Sequence, residues 1–177
     1  YATAVGTGTN DCYPSAYYSD VDADGDGDST VTVSGIVTVA KYNGFWLQDS
    51  AGAWDGVWVY DSTVDPSQGD SVTIMGDVNE YYGMTQLHNV ASFSIDSSSD
   101  RSFDPVSVTT GELGGGCSAA GEPYEGVLVK LTNVVVTAAA DNYGQWFVDD
   151  GSGAVEIEDD FVKPDVDLGG VAIGDSF

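Results

Sequence analysis

Apolar side chains recur at every second position through most of the chain, and Gly, Asn, Asp and Ser break the runs. A period of two is the mark of half-buried strands, and helical spacing is nearly absent, so an all-β class is expected. Val31-Thr32-Val33-Ser34-Gly35-Ile36-Val37-Thr38-Val39 predicts a long first strand. The turn pair Asn43-Gly44 introduces Phe45-Trp46-Leu47-Gln48-Asp49, and Gly56-Val57-Trp58-Val59-Tyr60 makes a third strand. Gly69-Asp70 starts a fourth over residues 71–78, and Tyr82-Gly83 turns the chain into a fifth over 84–95. Five strands in about 65 residues predict a small closed barrel.

The second half echoes the first at an offset near 100. Leu131-Thr132 follows Val31-Thr32, and Gly144, Trp146, Phe147 and Asp149 follow Gly44, Trp46, Leu47 and Asp49. Val155 and Ile157 follow Val57 and Val59, and Gly174-Asp175 follows Gly69-Asp70. Repetition of this kind reads as a duplicated domain. Residues 97–123, with Ser97-Ser98-Ser99 and Gly114-Gly115-Gly116, form a connector. In the second copy only Ser176-Phe177 follow the Gly-Asp pair, so two closing strands are expected to be missing in cis. An open sheet edge invites another strand. The alternating segment Tyr1, Thr3, Val5, Thr7, Thr9 is a spare strand that fills such a gap, in the same chain or a neighbouring one.

Composition changes the picture in three ways. There are 29 acids against 4 bases, a net charge of -25, which argues against a nucleic-acid partner because phosphate binding is driven by Lys and Arg. No apolar run reaches the ~18 residues of a membrane span, and no leader pattern precedes Tyr1, so a mature or trimmed chain without membrane insertion is expected. The two cysteines fit free thiols or one disulfide. Acidity and few lysines suit a secreted or cell-surface setting, where a Cys12–Cys117 bridge would persist. Closing a loop of ~100 residues stabilises by up to ~4.7 kcal/mol in the chain-entropy account.

The segments Val33-Ser34-Gly35-Ile36-Val37-Thr38, Gly44 to Asp49, Gly56 to Tyr60, Gly69-Asp70-Ser71-Val72 and Glu80 to Leu87 together resemble the OB-fold-like domains of secreted bacterial nucleases and multidomain surface proteins. The second half, from Gly121-Glu122-Pro123-Tyr124-Glu125-Gly126-Val127 and from Tyr143 to Gly153, resembles the domain that often follows. The resemblance implies two tandem five-stranded OB-like Greek-key barrels, the second lacking its closing strands. The expected layout is an arm at 1–28, a first barrel at 29–96, a connector at 97–123 and an incomplete barrel at 124–177. In that family the OB-like part accompanies a separate catalytic domain, and no residue here matches the catalytic motifs, so nuclease activity is not carried over.

Asp20, Asp22, Asp24, Asp26 and Asp28, with Gly25 at the sixth place, match the first nine positions of a calcium loop. Hard oxygen ligands at that spacing wrap a Ca²⁺ ion. The twelfth position is Val31 rather than Glu, so this would be a solitary loop borrowing carboxylates from elsewhere, or else a solvated acidic linker. Strand alternation places Phe45, Leu47, Val57 and Val59 on a core face and Trp46, Gln48, Trp58 and Tyr60 on the opposite one. Trp46, Trp58 and Tyr60 then form either a stacking platform for a sugar or, less well, a base, or a face packed against other parts of the protein. The packed alternative is favoured. His88 reads as an ordinary strand side chain, and Asp149-Asp150, Asp159-Asp160, Glu156 and Glu158 as either a glycosidase-like pair or second metal site or, the favoured reading, solvated acids, because strand neighbours point to opposite faces.

The function expected from these features is non-catalytic: an extracellular structural protein, in its sharper form a filament subunit that polymerises head to tail by strand donation from residues 1–9. The alternative is an accessory carbohydrate- or nucleic-acid-binding module of a larger secreted enzyme such as a nuclease.

Overall fold

The computed structural model describes residues 30–81, 84–99, 101–114, 120–138, 145–157, 173–174 and 176. The calcium-loop aspartates 20–28, both cysteines, the proposed donor strand at 1–9 and the acids 158–160 lie outside these residues.

The chain is all-β. Strands β1 (Thr30–Lys41), β2 (Gly44–Gln48), β3 (Gly56–Tyr60), β4 (Ser71–Tyr81) and β5 (Met84–Ser97) close into a barrel of order β1-β2-β3-β5-β4. Hairpin neighbours pair antiparallel, whereas β5 reaches across to lie parallel to β3, with Trp58 opposite Gln86 and Val59 opposite Leu87. The inward residues Val31, Val37, Phe45, Leu47, Val59, Val72, Ile74 and Leu87 are all buried in one core. Phe93 meets Phe45 edge-on, with ring centroids 6.1 Å apart.

Among the described residues the second unit is smaller. Strands β8 (Val135–Ala138), β9 (Trp146–Asp149) and β10 (Val155–Ile157) form a three-stranded sheet in the order β10-β9-β8. Beside it β6 (Val106–Ser107) pairs parallel with β7 (Val129–Lys130). One short helix, α1 (Thr110–Leu113), opens with a capping box in which Thr109 and Glu112 satisfy each other's backbone N–H groups. The Thr-x-x-Glu spacing at 109–112 is the sequence mark of that cap. Val127, Val129, Val136, Trp146, Val148, Val155 and Ile157 fill a separate core.

Strands β8-β9-β10 reproduce the pairing of β1-β2-β3. Val37 lies opposite Leu47, and the register of β1 then slips around Thr38; Val136 lies opposite Val148, and the register of β8 slips around Thr137. Gly69 N–H donates to Val37 O and Gly174 N–H to Val136 O, each at 2.9 Å, and both glycines have positive φ, 92° and 95°. The correspondence at the second strand differs by one residue from the spacing of about 100. The buried pair Phe45 and Leu47 is matched by Trp146 and Val148, not by Trp146 and Phe147. Trp46 therefore corresponds to Phe147, and Asp49 to Asp150. A one-residue slip exchanges the two faces of a strand, so only one of the two alignments buries the apolar residues.

Candidate functional site

The outward face of β2 and β3 carries Trp46, Gln48 and Trp58. Trp46 and Trp58 are directly opposite in the antiparallel register, and their rings lie 4.8 Å apart at an interplanar angle of 53°. Aromatic cross-strand pairs at this separation stabilise the sheet beyond the area they bury. Trp46 is 2% exposed and Trp58 3%, so of the three candidate stacking residues only Tyr60, at 54%, reaches solvent. Trp46 and Trp58 do not form an open platform.

The adjoining surface of β2 and β3 is engaged by the segment that leads into the second unit. Gln48 is 1% exposed, and its Oε1 accepts from Leu128 N–H at 2.7 Å while its Nε2 donates to Ser50 O at 3.0 Å. Trp54 N–H donates to Pro123 O at 2.6 Å. Thr85 N–H, on β5, donates to Glu125 Oε1 at 2.9 Å. Between these bonds the backbones of Gly56 and Gly126 touch, so closely that a Cβ on Gly56 would sit 2.4 Å from the carbonyl of Gly126. Trp54 itself has φ +71°, a rare conformation for a bulky residue, and its N–H is the group bonded to Pro123. Converting Gln48 to Leu should cost about 1–3 kcal/mol, because Leu128 N–H would lose its acceptor inside the junction. Urea denaturation of the variant measures this.

The acids expected to be solvated divide in two. Asp149 Oδ1 accepts from Gly151 N–H at 2.6 Å and Gly153 N–H at 3.1 Å, which closes the β9–β10 turn. Asp150 accepts from Thr110 N–H and Oγ1 at 3.1 and 2.9 Å, and from Ser152 N–H and Oγ, tying α1 to that turn. These donors, Ser152 Oγ foremost, hold the Asp150 carboxyl at a pKa of about 2. A carboxylate depressed in the folded state adds stability that is present above its unfolded pKa and is lost as pH falls through the folded one. Asp77 is depressed in the same direction by Thr30 and Asn89, and Glu112 by Thr109. Glu122 runs the other way, raised by burial. Stability should therefore fall as pH drops from about 4 towards about 2, and Asp150→Asn should flatten that fall. Urea midpoints measured across this range read the slope directly.

His88 is half-buried on β5 opposite Asp77, and no described hydrogen bond joins it to a serine. Among the described residues no group of three or more His, Cys, Asp or Glu is placed to hold a metal ion. The calcium loop and the Cys12–Cys117 bridge lie outside those residues, and so does the donor strand. No described helix is long and apolar enough to cross a membrane.

The junction residues Gln48, Gly56 and Gly126 were not singled out as a site by the sequence pattern. The only signal was a polar residue closing the apolar run Phe45-Trp46-Leu47.

Set beside known proteins, the chain is 29% identical over 143 residues to Endonuclease YhcR of Bacillus subtilis (strain 168). The match takes in 72% of this chain but only 11% of that protein, so the chain spans about a tenth of its relative's length. No family model matches the chain, and no solved structure does.

Proposed function

We propose that this chain is a non-catalytic accessory module of a larger secreted, nuclease-type enzyme, with a sugar polymer rather than nucleic acid as its ligand. The observation that carries the proposal is the match to a small share of an endonuclease many times longer. A stretch that fills a tenth of such a protein is the size of one binding module among several. The closed barrel of order β1-β2-β3-β5-β4, with its parallel β3–β5 pair, supports an OB-type reading. OB barrels present the face of their second and third strands to ligands. Here Trp46 and Trp58 are buried on that face and the 123–128 segment bonds beside them, which supports a barrel that uses this face to hold its neighbour. The charge of -25 weighs against phosphodiester ligands. The filament reading rests on residues 1–9, and no contact among the described residues favours it.

The test is the purified 177-residue chain incubated with plasmid DNA and with RNA, in calcium and in magnesium. No cleavage above buffer is the expected result. Cleavage that follows the protein through purification would overturn the accessory reading.

A further inference from the structure

A wide groove of about 640 Å³ opens where the connector passes over the barrel. Arg101, Ser102 and Phe103 of the connector line one part; Ser34, Ser71 and Asp49 of the barrel line the rest. The floor includes Gly35, where a Cβ would stand 2.4 Å from Gln48 O, so no side chain fits there. The connector is pinned at this point. A Cβ on Gly69 would lie 2.3 Å from Ser99 O and 3.1 Å from Arg101 N, so the backbones of Ser99 and Arg101 both come close to that glycine.

Arg101 is one of only four basic residues in a chain with 29 acids. Among the described residues its guanidinium forms no ion pair, although Asp49 lines the same groove. The planar guanidinium stands with the hydroxyls of Ser71 and Ser102, that of Ser34, which is bonded to Thr73 Oγ1 at 2.7 Å, one carboxylate and a half-buried aromatic ring, a mixed set. The guanidinium suits a carboxylate, taken two-pronged. The hydroxyls and Asp49 suit sugar hydroxyls, and Phe103 suits the C–H face of a pyranose. A phosphodiester chain brings one charge per nucleotide into a strongly negative protein, and the single guanidinium of the groove pairs with only one of them. A single carboxylate among neutral hydroxyls meets only the local field, since charges beyond about 8 Å are screened at physiological salt.

We propose that this groove binds a sugar carrying one carboxylate, of the hexuronic acid class, with Arg101 holding the carboxylate. The proposal rests on the accessory-module reading for its setting, but the groove is tested by itself. Amide shifts of the full ¹⁵N-labelled chain would be followed in titrations with methyl glucuronide, methyl glucoside and inorganic phosphate. Saturable shifts confined to residues 34–36, 49, 71 and 101–103 are expected with the glucuronide, with at least ~10-fold weaker response to the glucoside and to phosphate. Arg101→Gln should weaken glucuronide binding by ~10-fold or more. Arg101→Lys, which keeps the charge but not the fork, should weaken it less while leaving the spectrum dispersed. Absence of saturable shifts, or equal binding by Arg101→Gln, overturns the proposal. Phosphate binding as tightly as the glucuronide overturns it too, in favour of a simple anion site. Neither result bears on the nuclease assay, and cleavage in that assay would leave the groove measurement standing.

Discussion

Replacing Trp46 by Ala should destabilise the protein by about 3–5 kcal/mol, the range for emptying a large aromatic site in a packed interior. The ring is buried, it packs at a tilt against Trp58 across the β2–β3 pair, and it lies on the outer face of a strand whose inner face holds Phe45 and Leu47. For a chain of this size the melting temperature should fall by about 10 °C, at roughly 2–4 °C per kcal/mol. Thermal unfolding followed by circular dichroism checks this. A loss under ~1 kcal/mol would mean that the Trp46 face is not sealed in solution. Tyr60→Ala is the internal control. Its ring is mostly exposed, so a change within about 0.5 kcal/mol is expected.

The second large effect is expected at Gly56. Any Cβ there would stand 2.4 Å from the Gly126 carbonyl and 2.7 Å from Val127 N, both backbone atoms that cannot swing aside as a side chain would. Gly56→Ala must therefore push residues 126–127 off β3, at a cost of about 1–3 kcal/mol for overpacking. The damage is directional. The Gln48–Leu128 bond lies in the path of that shift, whereas the barrel core on the other side of β3 is untouched. Native-state tryptophan fluorescence should shift to the red as water reaches the junction, while the barrel's amide pattern persists. An unchanged melting temperature and emission would show that the segment is not seated on β3. Gly126→Ala attacks the same contact from the other side and adds a φ of +69° that Ala adopts poorly, so it should cost at least as much.

Much of the barrel was legible in the sequence, because its signals are local. Val31 to Val39 and Ser71 to Val78 largely alternate, and Asn43-Gly44 marks the neighbourhood of the first turn, which the structure places at residues 42–43 with Gly44 already in β2. The structure extends those strands by a few residues at their ends and leaves β3 unchanged at Gly56–Tyr60. The parallel β3–β5 pairing was not legible, since nothing in either strand's own pattern names its partner. The short helix after Thr109 leaves only its capping box in the sequence, because one turn of helix has no period to detect.

The repeat shows where local spacing misleads. An offset of 100 brings Trp46 onto Trp146, an attractive match of like residues. The pairing of β8 with β9 puts Trp146 in the role of Phe45 instead. Residue likeness is a weaker constraint than the requirement that the inner face of a sheet be apolar, and a shift of one residue cannot satisfy both.

The sequence by itself determined the all-β class, the strands of the first barrel, the inward set Phe45, Leu47, Val57 and Val59, and a net charge of -25. It also placed Trp46, Gln48 and Trp58 together on the other face. What covers that face, and hence whether it is a ligand platform or part of the interior, only the tertiary structure decided. Gln48 meets Leu128 across 80 residues of chain, and Gly56 meets Gly126 with no side chain on either. A contact made by backbone groups that far apart leaves no periodic trace in a sequence, since it depends on where two folded units come to rest rather than on which side chains alternate along a strand.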